Sequence, residues 1–250
     1  MYITDCGVVL RVSDYNDRDA LLTVLTDHYG KLTAKARGLR RKNNPMTAPC
    51  QLFAYSEFTL FEYNSQYTIN EASSRELFMN LRSDIEKLAL AGYFTQTAEL
   101  LAQEDLPNPE LQSLLLNSLY ALSHTSAADL KIKSVFEMRA ACLAGYMPEL
   151  VGCHVCGSRD ADRFDLSAGV LECAECRSPE STGIRMPVSR PVIEAMRYIC
   201  MCAPSKILSF RLEADSLEKL SGITEAYLAT QLEYSSPALD FYKGLFPLSE

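Results

Sequence analysis

Residues 20–37 read ALLTVLTDHYGKLTAKAR, and this stretch decides how the front of the chain folds. Ala20 to Thr26 is aliphatic and β-branched and fits a strand. Asp27-His28-Tyr29-Gly30 supplies turn chemistry. From Lys31 to Arg37 the residues alternate: Leu32, Ala34 and Ala36 share one face, and Lys31, Thr33, Lys35 and Arg37 share the other. A period of two marks a strand with one buried face. Two neighbouring strands are therefore predicted, the second with a basic outer surface.

The same pattern extends in both directions. Upstream, residues 2–12 alternate around Val8, Leu10 and Val12 with Arg11 opposite, predicting a half-buried strand. It ends at the turn formers Asp14-Tyr15-Asn16-Asp17. Downstream, Glu57 to Tyr63 and Tyr67 to Ala72 predict a hairpin around Asn64-Ser65. Five short strands with no long helix between them predict a small barrel or sandwich.

Near residue 73 the pattern becomes helical. Ser83-Asp84-Ile85-Glu86 reads as a capping box, with Ser83 as N-cap and a helix running to about Gln103. Asn108-Pro109 opens a second helix, whose stripe is Leu111, Leu114, Leu115, Ser118, Leu119 and Leu122. A third carries Ile132, Val135, Phe136, Ala140 and Leu143 and stops at Gly145. Two more follow a cysteine-rich insert. One starts at Ser189 or Arg190 and runs through Met196 and Ile199; the other holds Leu217, Leu220, Ile223 and Tyr227. The predicted fold class is a multidomain α+β chain.

Nine cysteines punctuate the sequence. No apolar run approaches the roughly 18 residues of a membrane span, and Met1-Tyr2-Ile3-Thr4-Asp5 has no secretion signal. A cytosolic protein with reduced thiols is expected. Cys153-x2-Cys156 and Cys173-x2-Cys176 are separated by 16 residues, a spacing that suits two turns pointing four thiolates at one zinc ion. Four sulfur ligands close the coordination sphere, so the expected zinc is single and structural. A redox C-x2-C pair would occur singly beside a βαβ unit, which is missing. His154, next to a ligand, is expected to face solvent. Cys6, Cys50, Cys142, Cys200 and Cys202 show no such spacing and read as buried thiols.

The net charge is −8, but residues 1–50 carry eight Lys or Arg against five Asp or Glu. Between Lys31 and Ser56 there are six cations and no carboxylate. Lys31, Lys35 and Arg37 on a strand face, continuing into Arg40, Arg41 and Lys42 on a loop, suit a groove that tracks phosphates. Tyr15, Tyr29, Phe53 and Tyr55 are candidate stacking surfaces, although aromatics on strands more often fill cores. Lys131, Lys133 and Arg139 form a second basic cluster that reads as a solvated helix face or a dock for an acidic tail. No P-loop, G-x-G-x-x-G, H-E-x-x-H or G-x-S-x-G motif is present, so no catalytic residue is assigned and a non-enzymatic protein is expected.

Several segments resemble one known family. Gly7-Val8-Val9-Leu10 with Asp14-Tyr15, then Leu21 to Thr26 with Tyr29-Gly30-Lys31, is similar to the opening of RecO proteins. Lys35-Ala36-Arg37-Gly38-Leu39-Arg40-Arg41 resembles that family's basic signature, with Leu39 where Ala is usual. Gln51-Leu52-Phe53 looks like the segment after it. Gly145-Tyr146-Met147-Pro148-Glu149-Leu150 running into Cys153-x2-Cys156-Gly157 resembles the approach to its zinc finger. In the turn, Asn16-Asp17-Arg18-Asp19 departs from the Glu of many relatives.

The resemblance implies an OB-fold DNA-binding domain at 1–76, a helical domain at 77–148 and 184–250, and a zinc-finger insert at 149–183. It implies a recombination mediator in DNA repair that binds single- and double-stranded DNA, anneals strands, and acts near the nucleoid in the cytoplasm without touching membrane. Implied partners are RecR and the single-stranded-DNA-binding protein, and indirectly the RecA recombinase. Two other classes fit the residues alone: a nucleic-acid-processing enzyme with a structural zinc, and a zinc-containing protein-binding adaptor.

Overall fold

A computed structural model describes residues 1–176 and 183–245. Residues 177–182 of the expected insert and 246–250 of the expected helical domain lie outside them. The chain divides into two compact units: residues 1–125 with 236–250, and residues 126–235. The helices expected as one domain are shared between these units.

In the first unit, strands β1 (Tyr2–Asp14), β2 (Ala20–Thr26), β3 (Gly30–Ala36), β4 (Tyr55–Tyr63) and β5 (Gln66–Glu76) form a closed barrel in the order β1-β2-β3-β5-β4. All joins are antiparallel except β3 with β5, where Ala34 faces Tyr67 and Ala36 faces Ile69. The long β1 serves two neighbours. Its first half pairs with β4 and its second with β2. The barrel core holds Ile3, Val9, Leu22, Val24, Leu32, Phe58, Leu60 and Ile69, with Ala20, Ala34 and Ala36 as small fillers. Gly7 is required where it stands, because a Cβ there would lie 2.6 Å from Val24 Cγ1.

Inside the barrel, β1 contributes Ile3 and Val9, and not the expected Val8 and Leu10. The register shifts between Val9 and Arg11, so strict alternation fails there. Val8 and Leu10 are nonetheless buried. They lie on the outer wall, against which helix α1 (Ile85–Leu101) packs. Val12 is 39% exposed, although its register partner Leu22 is fully buried.

Helix α1 starts one residue later than the capping-box reading. Asp84 is the N-cap, accepting from the amides of Glu86 and Lys87. Ser83 instead ends a short 3-10 helix, Met79–Ser83, and donates to Asn80 O at 2.8 Å. Helix α2 (Pro109–His124) begins as expected, with Asn108 Oδ1 accepting from the Leu111 amide. Helices α1 and α2 pack together.

The second unit holds helices α3 (Asp129–Leu143), α4 (Arg190–Met201) and α5 (Ala214–Leu232), with a sheet ordered β6-β8-β7-β9. Its strands are β6 (Glu149–Cys153), β7 (Ala161–Asp165), β8 (Val170–Cys173) and β9 (Arg185–Pro187). The sheet packs on α5 through Phe164 and Tyr227, whose ring centroids are 5.2 Å apart. Tyr227 also donates to Tyr146 O at 2.9 Å. A last helix, α6 (Pro237–Gly244), returns to the first unit and packs on α1; Ser236 Oγ donates to Gln96 Oε1. Among the described residues, no helix is long and apolar enough to cross a membrane.

Between α3 and α5 the interior is ionic. Lys133 Nζ lies 2.9 Å from Glu137 Oε1, 2.8 Å from Glu225 Oε2 and 3.2 Å from Ser221 Oγ. Thr224 donates to the other Glu137 oxygen at 2.7 Å. Burial opposes the charge on Lys133, but Glu137 and Glu225 outweigh it and hold its pKa above the ordinary lysine value. Lys133→Ala would strand the fully buried Glu137, and the expected loss is about 3–5 kcal/mol. It should appear as a lower denaturant midpoint at unchanged slope.

Candidate metal centre and basic face

The candidate metal centre is built from two chain reversals at one end of the four-stranded sheet. Cys153 closes β6 and Cys173 closes β8, and these strands run side by side in parallel. His154 N donates to Leu171 O at 2.9 Å, which ties the first reversal to β8. Within that reversal Gly157 N donates to Cys153 O at 2.8 Å, and Gly157 takes a left-handed φ of 74°. Glycine adopts that conformation without strain. The four sulfurs of Cys153, Cys156, Cys173 and Cys176 consequently all lie within 4.8 Å of one another.

This geometry fits a tetrahedral ion. Metal–sulfur bonds of about 2.3 Å place sulfurs about 3.8 Å apart along each edge, and Cys156 Sγ to Cys173 Sγ is 3.8 Å. Burial pushes the Cys153 thiol up, yet hydrogen bonds from the Cys156, Cys173 and Val155 backbone bring it down to about 6. Cys176, sharing hydrogen bonds with Cys156 and Cys173, is pushed up to about 12. Four crowded thiols resist full ionisation unless a cation neutralises them, and metal binding supplies that charge. His154 is exposed, with Nε2 3.6 Å from Glu172, and stands outside the cysteine cluster.

The six cations expected as a binding face are placed unequally. Lys31 Nζ donates to Glu99 O at 3.0 Å and is engaged by the end of α1. Lys35 pairs with Asp19 at 3.0 Å and sits 4.5 Å above the Tyr15 ring. Arg40 pairs with Asp14 at 2.9 Å. Arg37, Arg41 and Lys42 are exposed and have no carboxylate partner among the described residues. Of the candidate aromatics only Tyr15 is exposed: Phe53 is buried, Tyr29 packs on the barrel core, and Tyr55 is half-buried and donates to Asp27.

The loop that carries Arg40, Arg41 and Lys42 is held by Asp19, which motif reading did not single out. Asp19 Oδ1 accepts from Gly38 N at 2.8 Å, and its other oxygen accepts from Asn16 Nδ2 at 3.0 Å. Asn16 Oδ1 in turn accepts from the Arg18 and Asp19 amides. The available signal was the turn-forming Asn16 three residues before Asp19. Farther along, Asn44 Nδ2 donates to Gly38 O at 2.7 Å, and its carbonyl accepts from Met46 N.

The second basic cluster is neither a solvated face nor a dock. Besides the buried Lys133, Lys131 Nζ donates to Leu208 O and Phe210 O at 2.7 and 2.6 Å. Arg139 donates to the carbonyls of Cys200 and Cys202. Carbonyls of the loop after α4, carbonyls at the end of α4 and buried carboxylates compete for these cations more strongly than solvent does.

Two family models match the chain: Recombination protein O N terminal over residues 1–78, and Recombination protein O C terminal over residues 82–239. Curated relatives named DNA repair protein RecO align along nearly its whole length. That of Acetivibrio thermocellus is 32% identical, covering 98% of this chain and 97% of the relative. That of Alkaliphilus metalliredigens is 29% identical over 93% and 95%, and that of a Thermoanaerobacter species 26% over 96% of each.

The loop anchor has a pH dependence of defined sign. The Gly38 amide, with Asn16 and Lys35, lowers the Asp19 pKa from 3.8 to about 2. A lowered carboxylate stabilises the folded form above its unfolded pKa and loses that contribution as pH falls through the folded value. Protection of the Gly38 amide, measured as its exchange rate relative to the intrinsic rate at each pH, should therefore be full above about pH 4 and fall as pH drops from about 4 to about 2. Asp19→Asn should remove most of this pH dependence.

Proposed function

This chain belongs to the recombination protein O family, and from that premise we propose that it is a non-catalytic mediator of DNA repair. It binds single- and double-stranded DNA on the barrel, promotes annealing, and with RecR helps RecA load onto DNA coated by the single-stranded-DNA-binding protein. Its place is the cytoplasm, at the nucleoid. The observation that carries the DNA-binding part is the trio Arg37, Arg41 and Lys42 on the barrel's outer edge and its anchored loop, exposed and without carboxylate partners among the described residues. Phosphates are the anions such a trio meets in a repair protein, and contacts of this kind carry no base information.

Lys35 and Arg40 support the trio. Each is held by one carboxylate on the β1–β2 turn, Asp19 and Asp14. The Arg40–Asp14 pair is exposed and so worth little, which lets a phosphate compete for Arg40, whereas the Lys35–Asp19 pair is half-buried. Tyr15, beneath Lys35, offers a ring for an unstacked base. Lys31, engaged by α1, contributes least of the six.

The metal is zinc, one per chain. It is held by Cys153, Cys156, Cys173 and Cys176 and has a structural role. An all-thiolate tetrahedron favours zinc among common ions and leaves no position for substrate. Its binding free energy, typically about 10–16 kcal/mol at such sites, becomes folding free energy for the small sheet around it.

Two measurements test these assignments. Elemental analysis of chelator-free protein should return one zinc per chain, and Cys173→Ser should lose most of it and lower the melting temperature. Substoichiometric zinc that reconstitution fails to raise would remove the assignment. For DNA, replacing Arg37, Arg41 and Lys42 together by Ala should weaken single-strand binding for every sequence. It should flatten the log-affinity against log-salt slope by about 2, at about 0.7 per lost contact. An unchanged affinity and slope in the folded triple variant would place the DNA elsewhere.

A further inference from the structure

A second pair of cysteines stands apart from the metal quartet. Cys142, at the end of α3, and Cys200, near the end of α4, have Sγ atoms 3.7 Å apart. Cys200 is 5% exposed, while Cys142 is half-buried and so reachable from solvent. Arg139, one turn before Cys142 on α3, donates to the backbone carbonyls of Cys200 and Cys202, which holds its guanidinium beside the pair. Neither thiol belongs to the four-sulfur cluster that can hold an ion. The pair therefore has the makings of thiol chemistry: an accessible sulfur, a buried partner within reach, and a fixed positive charge.

We propose that Cys142 and Cys200 form a redox-active pair that peroxide oxidises to a reversible disulfide, with Cys142 as the attacking thiol and Cys200 as the resolving one. The thiolate of Cys142 attacks one peroxide oxygen. The O–O bond breaks, sulfur becomes sulfenic acid, and the departing hydroxide takes up the proton that the thiol released, leaving as water. Cys200 sulfur then attacks the sulfenic sulfur. The S–S bond forms as the S–O bond breaks, and the second hydroxide leaves as water with the proton of Cys200. One peroxide is reduced to two waters, and two thiols become one disulfide. A thiol reductant reverses the step by exchange.

The assignment of roles follows from the surroundings. The hydrogen bond to Cys200 holds the Cys142 thiol below the ordinary thiol range, burial works against this, and the Arg139 charge adds to it. Hydrogen bonding to Cys142, followed by burial, pushes Cys200 upward. An S–S bond of about 2.05 Å requires the sulfurs to close by more than an ångström. Side-chain rotation on helix-end residues supplies that kind of movement. The cross-link would tie α3, which leads into the metal sheet, to α4, which follows it in the chain.

The test uses the full metal-loaded chain treated with a small molar excess of hydrogen peroxide, then alkylated and digested without reductant. Mass spectrometry should find a peptide joining Cys142 to Cys200, lighter by two hydrogens than the two reduced peptides. Two thiols should be lost, the metal content unchanged, and reductant should restore both. Cys200→Ser should stop at a sulfenic acid on Cys142, trapped by a dimedone probe, whereas Cys142→Ser should give neither product. Cys202→Ser should cross-link like the unmutated chain. The cross-link is read on the unmutated protein, so a misfolded variant does not blunt the result. A Cys142 that stays alkylatable throughout, or peroxide that empties the metal site while leaving this pair reduced, would overturn the proposal.

Discussion

Closure of the barrel is the constraint on which the first unit depends. In a closed barrel every strand pairs on both sides, and β1 does so by giving successive parts of its 13 residues to β4 and to β2. Ordinary alternation turns Ile3 and Val9 of β1 inward and sends Val8 and Leu10 to the outer wall, and the register shifts only after Val9. The interior of so small a barrel admits few large side chains, which explains Ala20, Ala34 and Ala36 facing in from β2 and β3. Their outward neighbours on β3 are then free for other tasks. Lys31 joins the barrel to the end of α1, and Lys35 leads into the cationic loop.

Charge in this chain is arranged by depth as well as by sign. The second unit holds an ion network that water scarcely reaches, centred on Lys133, and another around Arg185, which bonds Glu172 at 2.5 Å and lies 3.8 Å from Asp165. These fix the packing of α3 on α5 and of the small sheet. The first unit keeps its cations at the surface and restrains some of them with single carboxylates. An exposed pair surrenders its partner easily, while a buried one does not. The difference decides which basic residues remain available to a polyanion.

Much of this architecture was legible because its causes are local. Two C-x2-C turns announce their convergence through spacing alone, and the strands from Ala20 to Ala36 follow from alternation and one turn. The legible features end where long-range contacts begin. Glu137, four residues on from Lys133, is a local partner that Lys131 lacks, but the spacing alone does not reveal burial, which is completed by Glu225 far along the chain. Cys142 and Cys200 read as unrelated buried thiols because only the packing of α3 on α4 brings them together. The N-cap moved from Ser83 to Asp84 because a 3-10 turn precedes the helix, so Ser83 caps backward instead of forward. Helix α6 went unrecognised although Ser236-Pro237 is a helix-opening pair, since eight residues give too little periodicity.

Helix α6 also sets an order of events during synthesis. The barrel, α1 and α2 leave the ribosome first, but the helix that packs on α1 is made only after Ser126 to Ser235. At about 5–20 residues per second, those residues take roughly 6–20 seconds to make. Throughout that interval the surface of α1 around Gln96 and Gly92 waits uncovered, with Ser236 and Ala238 still to come. The unit that begins first is thus completed last, and a nascent chain stalled before residue 236 would present an unfinished apolar seam to the chaperones that survey new proteins.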